Sequence, residues 1–122
     1  MPNSTPREPG DSAVVREVRI REEHDGPDSR YLTAYLEPNG DLRVEGQDLG
    51  PGTAIVSSDG EYEWGYVVDR SHLPALVSAL EGVEGQDLLI LIRDKWTGAR
   101  AGEFEKRVRE SGIALKDQWT WS

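Results

Sequence analysis

Two histidines, His24 and His72, are the side chains best suited to trade protons near neutral pH. A serine hydrolase needs a nucleophile held by such a base. Ser71 directly precedes His72, but neighbours in sequence do not form a dyad, and Ser71 reads better as a helix cap. No G-x-S-x-G elbow occurs. Two groups of acids, Asp41/Glu45/Asp48 and Asp59/Glu61/Glu63, suggest cation binding, yet neither has the spacing of a calcium loop. Solvated acids beside turns account for both groups. Gly46, Gly50 and Gly52 invite comparison with a phosphate cradle. No lysine follows them, and Glu45 and Asp48 would repel a phosphate there. Paired carboxylates for glycoside chemistry need a deep cleft, which a chain this short rarely forms. No catalytic residue, cofactor site or metal ligand is assigned, and the chain is expected not to be an enzyme.

The 122 residues suit one domain. With no cysteine there are no disulfides, thiolate metal sites or cysteine nucleophiles. The net charge is −9, and all of it lies in residues 1–69, which carry fifteen acids against six arginines. Residues 70–122 carry eight of each sign. Such a field repels nucleic acid and steers basic partners. Residues 1–13 hold three prolines and no apolar run. They read as a disordered lead-in rather than a signal peptide, leaving residues 14–122 as a single domain. No apolar run is long enough to span a membrane. A cytoplasmic protein is expected.

Positioning the chemistry falls to the elements. Residues 14–21 alternate, with Val14, Val18 and Ile20 on one side and Glu17, Arg19 and Arg21 on the other, a strand pattern. Residues 22–29 read as a loop. Residues 30–37 alternate again, the Pro38-Asn39-Gly40-Asp41 turn follows, and Leu42 and Val44 begin a partner strand. Residues 46–52 read as an irregular connection. Residues 61–69 place Tyr62, Trp64, Tyr66 and Val68 on one face, with Glu61, Glu63 and Gly65 opposite. Ser71 caps a helix bearing Leu73, Leu76, Val77 and Leu80, closed by Gly82. Residues 87–97 are read as helix in preference to strand, residues 101–111 as helix, and residues 113–121 as a closing strand. The fold class is α+β: an antiparallel or mixed sheet of about five strands, with two or three helices packed on one face.

If Leu32, Leu42, Val44 and Tyr62 face the core, the period of two fixes the other face. It carries Arg19, Tyr31, Tyr35, Arg43, Glu45, Glu61 and Glu63. Aromatic anchors among carboxylates suit a basic protein partner. Tyr31, Tyr35, Glu45, Glu61 and Glu63 are the candidate contact residues. The runner-up is a small-molecule binder or minor enzyme, with a pocket between sheet and helices near Trp64, Trp96 and Trp119. A third reading is a homodimer joined through an edge strand. Core packing is the expected role of Trp64 and Trp119, while Trp121 is a candidate exposed anchor.

The stretch LRVEGQDLGPG, then EYEWGYVVD, followed by the leucine-rich helix of residues 73–80, resembles small uncharacterised proteins of GC-rich bacteria. Some of these resemble immunity proteins of polymorphic toxin systems. The likeness spans residues 42–121. It implies an acidic intracellular protein that blocks a toxin, and it assigns no functional residue.

Overall fold

A computed structural model describes residues 16–51 and 60–121. The lead-in expected over residues 1–13, Val14 and Asp59 lie outside the described residues.

Among the described residues five strands form: β1 (Glu17–Asp25), β2 (Asp28–Leu36), β3 (Leu42–Leu49), β4 (Glu61–Val68) and β5 (Lys116–Trp121). They pair in sequential order, every pair antiparallel. Between β4 and β5 run α1 (Leu73–Ala79), α2 (Leu88–Lys95) and α3 (Ala101–Glu110). The protein is thus α+β with an antiparallel sheet, and residues 88–92 are helical. In register, Leu32, Ala34 and Leu36 of β2 face Gly46, Val44 and Leu42 of β3, which face Trp64, Tyr66 and Val68 of β4. This face packs on Leu76, Leu80, Leu89, Leu91, Ile92 and Phe104, all essentially inaccessible to solvent. Burial of that apolar surface is the main driving force for joining helices to sheet.

Several local expectations change. Arg21 does not point outward with Glu17 and Arg19. The register shifts between Arg19 and Arg21, so Ile20 and Arg21 both turn to the helix side. Arg21 is 7% exposed, and its Nη2 donates to Glu105 of α3 at 2.8 Å. The loop of residues 22–29 shrinks to Gly26-Pro27, because Asp25 pairs directly with Asp28. Gly26 supplies the positive φ of that turn. Gly46 lies inside β3 rather than in an irregular segment, since the indole of Trp64, directly opposite, covers it.

Asp69, not Ser71, starts the helical region. Its carboxylate accepts from the Ser71 amide at 3.0 Å and the Ser71 hydroxyl at 2.6 Å, opening a 3-10 turn (Arg70–His72) ahead of α1. At the far end of α1, Glu81 takes the left-handed conformation, not Gly82. The Glu81 amide donates to Ser78 and the Gly82 amide to Val77, the hydrogen-bond pattern of a Schellman stop. A side chain at Gly82 would meet Leu91 and Val77, so packing explains that glycine. Trp96, fully buried, donates its Nε1–H to the Leu80 carbonyl at 3.0 Å, and Arg107 donates to the Ala79 carbonyl at 3.1 Å. The open carbonyls of α1 are therefore satisfied by side chains of the helical region that follows it.

One charged clasp ties β5 to the sheet. Lys116 Nζ lies 3.0 Å from Asp41 and 2.9 Å from Asp69. Asp41, 6% exposed, also accepts from the Arg70 amide at 2.9 Å. The Lys116 ammonium, then the Arg70 amide, holds the Asp41 carboxyl below its ordinary range. The Ser71 hydroxyl, then Lys116, does so for Asp69. These two carboxylates raise Lys116 in turn. Depressed carboxylates stabilise the fold above their unfolded pKa and lose that contribution as pH falls through the folded values. The raised lysine contributes below its unfolded pKa and loses that contribution as pH climbs through its folded value. Thermal melts of Lys116→Met against pH are expected to show a lower Tm at neutral pH and a shallower acid decline than wild type. Parallel wild-type and variant curves would show the clasp to be energetically idle.

Candidate functional site: the open face of the sheet

The helices cover one face, so the pleat presents every alternate residue on the other. Tyr31 stands opposite Gln47, which stands opposite Glu63. Tyr35 stands opposite Arg43, and Glu45 lies between Thr33 and Gly65. Glu61 pairs with Leu49 at the end of β4. Tyr31, Tyr35, Glu45, Glu61 and Glu63 therefore share one face. Tyr31, Thr33, Tyr35, Glu45, Glu63 and Trp119 line a groove of about 590 Å³.

Trp119 was expected in the core. It lies instead on this open face, because its partner in β4 is Gly65, and a Cβ at that glycine would collide with the indole. Trp119 thus forms one wall of the groove. Trp64 is on the opposite face, stacked at 5.7 Å on Tyr62, and Trp96 is buried among the helices. Trp64 and Trp119 both line the open-face groove and a second groove with Tyr62, Tyr66 and Gln118, while Trp96 is buried among the helices and joins neither. A further groove of about 810 Å³ lies between the helices and the end of β2, at Leu36, Leu73, Val77 and Leu89.

The electrostatics of the open face favour cations. Gln47 Nε2 donates to Glu61 at 3.3 Å and to Glu63 at 3.1 Å, so one amide serves two carboxylates. Burial, then the neighbouring Glu61, raises the Glu63 carboxyl above its ordinary value. The side-chain donor to Glu63 is the neutral Gln47 amide. Burial, then Glu45 and Glu17, likewise raises the Tyr35 phenol. The face already holds two guanidinium groups in ring-and-carboxylate settings. Arg19 lies 4.9 Å from the centre of the Tyr31 ring and 3.0 Å from Glu22. Arg43 lies 4.8 Å from the Trp119 ring centre and 3.2 Å from both Glu37 and Glu45. An aromatic face beside a carboxylate attracts a cation through the ring quadrupole and a charge-assisted hydrogen bond.

Other chemical candidates disperse. Glu45 and Asp48 point to opposite faces, by the pleat, and Asp41 is committed to Lys116. Among the described residues no group of three or more His, Cys, Asp or Glu is arranged to hold a metal ion. His24 Nδ1 lies 3.1 Å from Ser29 Oγ, and its Nε2 is 3.5 Å from Glu22. That trio is more than half exposed at His24 and Glu22, where water competes for each bond and an activated nucleophile gains no low-dielectric shelter. His72 is exposed, and Ser71 is engaged by Asp69 rather than by His72. No described helix is long and apolar enough to cross a membrane.

Sequence periodicity put the five candidate residues on one face but did not put Trp119 or Gln47 there. The available signal for Trp119 was a glycine inside an aromatic strand. Gly65 is the kind of gap that a cross-strand ring fills. Compared with known proteins, the chain matches no family model, no curated protein and no solved structure.

Proposed function

We propose that the protein is a non-enzymatic protein-binding module whose open sheet face takes a basic partner. The observation that carries this reading is the groove in which Tyr31, Tyr35 and Trp119 alternate with Glu45 and Glu63. The rings supply apolar area with little conformational entropy to lose. The carboxylates supply steering and register, adding to the −9 charge of the whole chain. An inhibitor that occupies the basic surface of a toxin is the finer form of this reading. It is supported by the acidic balance of the chain.

The test is a titration of the full chain with a nine-residue peptide alternating threonine and arginine, followed by tryptophan fluorescence. Affinity is expected to fall as salt rises from 50 mM to 500 mM, because exposed charge pairs are screened over about 10 Å at 0.1 M. It should also rise with pH through the upper carboxylate range. Glu63 is raised in the free protein, and a bound cation favours its ionised form, so binding releases a proton. A glutamate analogue of the peptide is expected not to bind. Equal binding of both peptides would remove charge from the account, and no binding of either would remove the reading itself.

A further inference from the structure

We infer that the basic partner docks as a sixth strand along the outer edge of β5, at residues 118–121, with arginines projecting over the open face. This rests on the open-face reading and adds the mode of attachment. The two edges of the sheet differ. The edge at β1 is blunted by its bulge and by the helical turn Gly98–Arg100 that packs against it. Bulges and covering segments of this kind are how sheet edges avoid further pairing. At β5 the strand starts irregularly, with Asp117 at φ 52° and a register shift opposite Gly65 and Val67. From there residues 118–121 read Gln-Trp-Thr-Trp and carry no charge. Among the described residues nothing pairs with their outer edge, and Trp121 is 53% exposed. Unpaired amides and carbonyls in such a strand are a template for an extended segment.

Charge complementarity selects the occupant. Trp119 and Trp121 stand on the open face, paired with Gly65 and Glu63. An added strand would lie about 4.8 Å beyond β5. Arginines at its alternate positions would cross the two indoles toward Glu63, repeating the arrangement of Arg43 over Trp119 beside Glu45. A second copy paired through residues 118–121 would bring only Gln-Trp-Thr-Trp to this edge and no cation to Glu63, so a basic segment of a different chain fits better.

Backbone methylation of the probe separates strand addition from simple charge attraction, because it removes amide donors and leaves every charge in place. Two analogues of the threonine–arginine peptide carry N-methyl groups on alternate residues, one on each edge. One analogue is expected to lose roughly 30-fold or more in affinity for the full chain, and the other to stay within about 3-fold of the parent. The amides of residues 118–121 should gain hydrogen-exchange protection on binding the parent peptide. Parent-like binding of both analogues would overturn strand addition and leave the open-face reading standing. If both analogues lose affinity, exchange decides: new protection at residues 118–121 supports the inference, and its absence overturns it. Failure of the parent peptide to bind would overturn both, and a dimer mass that persists with peptide bound would overturn strand addition alone.

Discussion

Gly65→Ala is expected to lower stability by about 1–3 kcal/mol, the range for overpacking a filled site. The direction is opposite to the usual benefit of replacing a strand glycine. The added methyl would collide with the Trp119 indole. The ring must then leave its place under Arg43, taking one wall of the open-face groove with it. Affinity for the threonine–arginine peptide should drop by about 10-fold, one ring–cation contact, or roughly 1.4 kcal/mol. Denaturant melts of Gly65→Ala, Trp119→Ala and the double variant check the cause. In the Trp119→Ala background the glycine substitution should become neutral or stabilising, the coupling expected of two residues in contact. Additive losses would show that Gly65 is needed for some other reason. Gly46→Ala should behave similarly with Trp64, on the helix-covered face.

The second large effect belongs to Glu61 and Glu63. The double change Glu61→Lys/Glu63→Lys is expected to weaken binding of the threonine–arginine peptide by about 30- to 150-fold, roughly 2–3 kcal/mol for two reversed charges. The fold should survive, because both side chains are only half-buried and stand away from the helix-covered core. Gln47 loses two acceptors, but its own carbonyl oxygen can turn toward a lysine ammonium. Circular dichroism and a melt within a few degrees of wild type are the control. Unchanged peptide affinity in a folded variant would take both residues out of the interface.

How far the sequence reached depended on whether local rules or tertiary contacts decided each position. Alternation in β2 and β4 read correctly because one face is buried, and a slip of one residue would expose it. The same alternation placed Tyr31, Tyr35, Glu45, Glu61 and Glu63 together. Leu88 to Ile92 was ambiguous as an apolar run, and the helix follows from its neighbours: Asp87 accepts from the Ile90 amide at 3.1 Å, and Arg93 and Lys95 lie in the last turn. The β1 bulge was not legible, because Ile20-Arg21 keeps the alternating letters while the backbone shifts register. Its partner is tertiary: Arg21 turns to the helix side and donates to Glu105 of α3. The position of Trp119 is tertiary for a similar reason. Periodicity says which side a residue takes relative to its own strand. It does not say that a glycine across the ladder leaves room for a ring on the uncovered face.

The most direct test is a charge-swap titration of wild type and Glu61→Lys/Glu63→Lys against two peptides, one alternating threonine with arginine and one threonine with glutamate. Binding through the acidic open face predicts that wild type prefers the arginine peptide and that the variant reverses the preference, with both preferences shrinking at high salt. Retention of the wild-type preference by the folded variant would contradict it.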